Sequence, residues 1–402
     1  MRRLDLKTAQ VVHFSTMRDI NRQIVLNYVR ERGPISRADI ARATSMQRST
    51  VSAIIDALVL DGFIEEIGKG ESTGGRCPTM LRLRSGNAAA IGVDVQPRVT
   101  TVATCDIAGR VLAKREFPTS PDFDTTINRV LECISEVAKN RADIEGIGVI
   151  LPGLVDPITG KVLYVPYFNW RDLDVADRLS TATGLLVTID NDANAAALAE
   201  LWFGRPEISE ARDFILIWVA EGLGTGIIFD RQIYRGAAGA AGEFGHMIIG
   251  QNAPVTCSCG SFDCWEAFAS GRAAVARYTK LTDQSHGRFA PTFAQLIDQA
   301  LEGDAAAQTA LLETAQSLSI GISNLIVGLS PDLIVVAGPM ARAWSLVEKV
   351  FFDTAERSVR RGLPKARIIA STLGDKTTLM GALSLVLSGK FGSVPLASLE
   401  RI

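Results

Sequence analysis

No segment of this chain holds the roughly 18 consecutive apolar residues of a membrane-spanning helix, and Met1 to Ile20 carry Arg2, Arg3, Asp5, Lys7 and Arg18 where a secretion signal would be apolar. These absences point to a cytoplasmic protein with no membrane partner. Low-complexity blocks and single-sign tails are missing as well, so disorder is not expected. Cysteine is sparse, six in 402 residues, which excludes a disulfide framework. Histidine is scarcer still, at three.

What is present describes a globular protein: 47% of residues are hydrophobic, 21% are charged, and the length suits two or three domains better than one core. The net charge of -2 conceals an asymmetry. Through Arg84 there are 14 basic against 9 acidic residues, and beyond it 28 against 35, giving +5 and -7. A basic head on an acidic body means that only the head meets a polyanion such as DNA.

In the head, Thr16 with Asp19 signals a helix start, and Ile20, Ile24, Val25 and Tyr28 recur at helical spacing until Gly33-Pro34 stops them. Ser36 with Asp39 forms a second capping box for a short helix ending near Ala43-Thr44. After Thr44-Ser45-Met46, a third helix is expected from about Arg48 to Leu60, burying Val51, Ile54, Ile55, Leu58 and Val59 and closing at Asp61-Gly62. Strands at Phe63 to Ile67 and Thr79 to Leu83, joined by a glycine-rich loop, complete a winged helix-turn-helix over residues 1–85. Gln47, Arg48, Ser49 and Ser52 then occupy the recognition helix, and Arg76 in the wing suits the minor groove or a phosphate. The alternative is a three-helix module used for packing or dimerisation, with both arginines merely solvated.

Residues 86–402 read as α/β. Strands at Ile91 to Val95, Val99 to Cys105 and Val111 to Glu116 precede an amphipathic helix carrying Ile127, Val130, Leu131, Ile134 and Val137, and Gly146 to Leu151 and Leu186 to Ile189 add two more strands. A similar order restarts with Phe214 to Val219, Gly226 to Phe229 and Gln232 to Tyr234, and ends with Leu333 to Ala337 and Arg367 to Ala370. The repetition predicts two lobes of like topology with a ligand cleft between them. Their bounds are about 88–195 plus a C-terminal helix at about 378–390, and about 196–377.

Cys257, Cys259 and Cys264 crowd into eight positions near His246, a nitrogen and three sulfurs suited to tetrahedral zinc. Buried or redox cysteines beside a bystander histidine are the alternative. Cys77, Cys105 and Cys133 have no such company.

Pro152-Gly153-Leu154-Val155-Asp156, Asp190-Asn191-Asp192-Ala193-Asn194, Gly222-Leu223-Gly224-Thr225-Gly226, Gly242-Glu243-Phe244-Gly245-His246 and the cysteine cluster ending in Trp265-Glu266 resemble the ROK family of bacterial repressors, sugar kinases and unassigned frames. The resemblance spans nearly the whole chain and is best to members with an N-terminal winged helix. It implies an actin-like (RNase H-like) sugar-kinase fold, a zinc that shapes the sugar-binding loop, and sugar contacts from Gly153, Asn191, Asp192, Glu243, His246 and Glu266. In kinase members the residue matching Asp192 is the general base. Asp190, Asn191 and Asp192 equally suit the cap of a following helix, and Glu243 and Glu266 equally suit a supporting role behind the zinc.

Kinase members carry an Asp-x-Gly-Gly-Thr turn after the first strand, whereas this chain reads Asp94-Val95-Gln96-Pro97-Arg98. Glu221 stands where a small or hydroxyl residue is usual, and its charge repels phosphate. The expected function is therefore a sugar-responsive transcriptional regulator, a repressor, acting as a homodimer or homotetramer on double-stranded operator DNA with a sugar or sugar phosphate as effector. An ATP-dependent sugar kinase using Asp192 as base is the alternative.

Overall fold

The computed structural model describes residues 21–391 apart from 23, 27, 30, 31, 71–76, 85–88, 107, 108, 140, 142, 283–289 and 359–365. The Thr16 helix start and Arg76 lie outside the described residues. In the head, β1 (Ile35–Ser36), α1 (Arg37–Thr44), α2 (Arg48–Leu60), β2 (Ile64–Lys69) and β3 (Thr79–Leu83) follow one another. Ser36 caps α1 reciprocally with Asp39, as its spacing predicts. Val51, Ile54, Ile55 and Leu58 are buried on α2, whereas Val59 is only partly covered. The wing strands hold a third partner that periodicity does not signal, because two residues of β1 pair antiparallel with β3. Arg37 ties the module together by pairing with Asp56 of α2 and Glu66 of β2.

The first lobe runs β4 (Ala89–Val95), β5 (Val99–Asp106), β6 (Val111–Pro118), α3 (Phe123–Val137), β7 (Ile144–Leu151), β8 (Leu154–Asp156), β9 (Lys161–Val165), β10 (Trp170–Leu173), α4 (Val175–Thr183), β11 (Val187–Asn191), α5 (Asp192–Phe203) and α6 (Pro206–Glu210). The second runs β12 (Phe214–Val219), β13 (Leu223–Phe229), β14 (Gln232–Ile233), α7 (Trp265–Ala269), α8 (Gly271–Leu281), α9 (Phe293–Leu301), α10 (Ala305–Leu329), β15 (Leu333–Ala337), α11 (Trp344–Ser358) and β16 (Arg367–Ala370), and the chain closes with α12 (Thr377–Phe391), which lies with the first lobe. Their five-stranded sheets have the orders β6-β5-β4-β7-β11 and β14-β13-β12-β15-β16. In both, the first strand pairs antiparallel with the second and parallel with the fourth. The duplication read from the sequence is thus a duplication of topology.

Three expected strand residues lie just outside their strands: Phe63 precedes β2, exposed Leu186 precedes β11, and Tyr234 follows β14. A separate antiparallel sheet, β10-β9-β8, was not anticipated, because its short strands carry no clean alternation. Helix α12 returns from the second lobe to pack on β4, β7 and α5. Gly148 permits this, since a Cβ there would collide with the Ala382 carbonyl.

Among the described residues one helix, α10, is long and apolar enough to cross a membrane, although polar residues interrupt its apolar run. Over half of its most apolar stretch is buried, and α10 packs on α7, α8, α9 and α11 as a core helix.

Candidate functional site

The carboxyl ends of parallel strands open onto one cleft, where α/β sheets gather ligand-binding residues. Gln96 follows β4, Pro152-Gly153 follows β7, and Asp192 follows β11 to open α5. Facing them from the second lobe are the β12–β13 turn, Glu243, His246 and Glu266, around a cleft of about 140 Å³. All six residues expected at the sugar line it.

Their chemistry differs. Asn191 is the N-cap of α5, its Oδ1 accepting from Ala193 N and Asn194 N, while its Nδ2 donates to the Gly153 carbonyl at 2.9 Å. Gly153 has φ +140°, where a Cβ would strike the Tyr164 carbonyl, so the loop admits only glycine. Asp192 is 8% exposed and accepts from Ala193 N at 2.9 Å. Burial and the neighbouring Asp94 charge raise its carboxyl to about 7, against a smaller pull from the backbone of Ala193 and from Gln96. Gln96 also donates to Asp94 at 2.8 Å. Sequence reasoning saw Gln96 only as a missing glycine, whereas its amide lines the cleft and bonds to two carboxylates.

Because native Asp192 keeps a proton that the unfolded chain has released, stability falls as pH rises from about 4 to about 7. Asp192→Asn is expected to flatten the sugar-free melting curve across this range and to melt higher than wild type at pH 8, by about 2–4 kcal/mol. Glu200, buried on α5 and also raised to about 7 by burial, bends both curves alike, so the difference between them reports Asp192 together with the Asp94 and Glu243 carboxyls coupled to it. Calorimetry at pH 5, 6, 7 and 8 checks this; parallel curves would refute it.

Glu266 is buried, and its oxygens are already occupied. Oε1 accepts from Ser258 Oγ at 2.7 Å and pairs with Arg272 at 2.8 Å, and Oε2 accepts from Leu223 N at 3.2 Å. Burial opposes its ionisation, but the bonds from Ser258 and Leu223 and the Arg272 charge outweigh it and hold the carboxyl below its usual range. Glu266 therefore fastens the cysteine loop to β13. Tyr167 is a residue the sequence does not single out. It reaches from the first lobe so that a methyl on Gly222 would lie 2.9 Å from Glu266 Oε2 and 3.2 Å from Tyr167 Oη. Burial, then the Glu266 charge, raises this phenol to about 12, so it stays a neutral donor.

His246, Cys257, Cys259 and Cys264 offer ligand atoms that all lie within 4.8 Å of one another. Cys257 Sγ is 3.3 Å from His246 Nδ1 and 3.4 Å from Cys259 Sγ, and Cys259 Sγ is 3.9 Å from Cys264 Sγ. Edges of a tetrahedron of zinc ligands are about 3.3–3.8 Å, so the set fits a metal ion. The other ring nitrogen, His246 Nε2, faces Glu243 at 3.4 Å. A cleft carboxylate thus orients the histidine of the cluster. Glu243 is pushed up by burial, His246 opposing and Glu266 reinforcing.

At the mouth, the matching three-residue turns of the two lobes face each other, and Arg98 Nη2 lies 3.6 Å from Glu221 Oε1. The two departures from the kinase pattern are partners. Of the Gly-x-Gly-x-Gly residues, Gly226 serves packing, since a Cβ there would strike the Ala193 carbonyl at the start of α5. On the head, Gln47, Arg48 and Ser49 are exposed and Ser52 half-buried. Gln47 is the N-cap of α2 yet makes no capping bond, and among the described residues Arg48 has no ion-pair partner.

Two matched lobes about a carboxylate-lined cleft, following a winged helix, define an actin-like, sugar-kinase-type frame with a DNA-binding head. The sequence profile of the ROK family matches residues 90–388, and a winged helix-turn-helix DNA-binding profile matches residues 18–65. The chain is 31% identical to the xylose repressor of Caldicellulosiruptor bescii, over 92% of this chain and 96% of that protein. To the DNA-binding transcriptional dual regulator NagC of Escherichia coli it is 29% identical, over 94% and 95%. A crystal structure of a ROK family transcriptional regulator, homolog of the E. coli MLC protein, superposes with TM-score 0.79 at 24% identity, covering 96% of this chain and all of that one. A ROK family glucokinase from Streptomyces griseus, in complex with glucose and AMPPNP, gives 0.68 at 28% identity, covering 74% and 99%. This chain belongs to the ROK family.

Proposed function

We propose that this protein is a sugar-responsive transcriptional repressor in which a monosaccharide in the interlobe cleft changes the affinity of the winged helix for operator DNA. The observation that carries the reading is the asymmetry of the cleft. Its sugar side keeps Gly153, Asn191, Asp192, Glu243, His246 and Glu266, while the turn that should cradle phosphate has become Gln96-Pro97-Arg98. Without small residues there, a nucleotide cannot bring its γ-phosphate to Asp192, so we read the protein as a sensor and Asp192 as a hydroxyl acceptor. The relatives named as repressors support the same reading. We assign residues 1–85 to DNA binding and 86–402 to sensing, with Gln47, Arg48, Ser49, Ser52 and Arg76 at the DNA. Such a regulator works in the cytoplasm.

The metal of the Cys-His cluster is, in this reading, a structural zinc. It would supply a cross-link that holds the Glu266 loop and, through His246, Glu243. Transmission has a physical route. The apolar core of the head, including Val29, Ile40 and Leu58, belongs to one contiguous cluster with Ala103 of β5 and Leu379, Leu383 and Leu387 of α12. Lobe closure that shifts α12 therefore shifts the head. A homo-oligomer presenting two heads to a palindromic site is proposed for affinity.

The test is retention of duplex DNA, selected from a random-sequence pool, with and without xylose, glucose or N-acetylglucosamine. A sugar that changes retention is expected, and Tyr167→Phe should raise the sugar concentration required by about 3- to 10-fold, the worth of one hydrogen bond. Sugar-dependent ATP turnover abolished by Asp192→Asn would favour the kinase instead.

A further inference from the structure

We infer that the cleft selects a monosaccharide bearing no anionic group, and that Glu221, paired with Arg98, excludes sugar phosphates. The inference rests on the sugar-binding reading above and narrows its ligand class.

Proteins hold a phosphate with side-chain cations, free helix N-termini, or backbone amides turned inward at a glycine-rich turn. The residues lining the cleft include four carboxylates, Asp192, Glu221, Glu243 and Glu266, and no lysine or arginine. Of the arginines around it, Arg272 is hydrogen-bonded to Glu266 and Arg235 to Asp190, while Arg98, exposed at the mouth, sits 3.6 Å from Glu221 and does not line the cleft. His246 turns one ring nitrogen to Cys257 and the other to Glu243, so neither is open to an anion.

Much of the backbone is committed as well. The N-terminus of α5, which points into the cleft, is capped by its own side chains, Asn191 and Asp192 accepting from Ala193 N and Asn191 also from Asn194 N. In the first turn Pro97 has no N–H, and Gln96 N donates to the Val99 carbonyl at 3.3 Å. In the second, Ala220 N donates to the Gly222 carbonyl and Leu223 N to Glu266, and among the described residues only Glu221 N and Gly222 N, beside the Glu221 carboxylate, and Arg98 N are left without a partner in these turns. A phosphate ester would thus enter with two negative charges among carboxylates and meet its few open backbone donors next to one of them.

A hydroxylated neutral ring meets the opposite situation. The Asp192 and Glu243 carboxyls can accept from hydroxyls, and the Tyr167 hydroxyl faces the cleft. The charge of the cleft therefore admits the neutral ring and rejects its ester.

Isothermal titration of the full chain with xylose, glucose and N-acetylglucosamine, each against its terminal phosphate ester, tests this. The expected result is that whichever free sugar binds does so at least about 100-fold more tightly than its ester, as like-charge juxtaposition costs several kcal/mol. Glu221→Lys should narrow that gap at least about tenfold, and Glu221→Gln by less. An ester that binds as tightly as its parent sugar, or a gap unmoved by Glu221→Lys, overturns the inference and leaves the sensor reading standing. If neither sugars nor esters bind, both fall.

Discussion

Arg48→Ala is expected to lower affinity for selected operator DNA by about 10- to 100-fold, the loss of a bidentate arginine contact of about 1–3 kcal/mol. Arg48 is the first residue of α2, exposed, and behind an N-cap whose side chain makes no capping bond. Its position beside the tight turn is the one from which recognition helices read base edges. The buried face of α2, with Val51, Ile54, Ile55 and Leu58, is untouched by the change, so the melting temperature should stay within a degree or two of wild type. Fluorescence anisotropy at several salt concentrations separates two roles. A base contact loses affinity for the selected site far more than for random duplex, whereas a phosphate contact weakens both alike and lowers the salt slope by about one. Unchanged affinity on both duplexes would remove α2 from the DNA interface.

Cys264→Ser should strip the metal and carry the cleft with it. Cys264 is fully buried, precedes the first residue of α7 without a side-chain capping bond, and stands two residues before Glu266. Removing its thiolate leaves three ligands, and the loop that holds Ser258 against Glu266 loses its cross-link. We expect about one zinc per wild-type chain by elemental analysis and almost none in the variant, with a melting temperature lower by about 10 °C, the effect of about 5 kcal/mol in a domain of this size. Sugar binding should be lost as well, since Glu243 and Glu266 are both held from this side. Full metal content and an unaltered melting curve in Cys264→Ser would show the cluster to be a set of ordinary buried thiols.

Some of this architecture was legible because its causes are local. A capping box is written in Ser36 and Asp39, and the span Arg48–Leu60 is written in a helical apolar repeat closed by Asp61-Gly62. Long buried strands such as Phe214–Val219 announce themselves, because both faces must be apolar. Short elements did not. β1 exists only because β3 is beside it, and β8 to β10 only because they pair with one another.

The site divides in the same manner. The sequence by itself determined the ligand chemistry: three cysteines and a rare histidine at close spacing, the Asp190-Asn191-Asp192 triplet, and the replaced glycines after β4 are facts of residue type. Only the tertiary structure decided what each residue is free to do. It commits Glu266 to Ser258, Leu223 and Arg272, gives Asn191 the capping of α5, brings Tyr167 to Gly222, and pairs Arg98 with Glu221 across 123 positions of chain. The physical reason is range. Capping, periodicity and ligand identity act within a few residues, whereas a carboxylate's free lone pairs and its proton depend on groups that meet only when two lobes face each other.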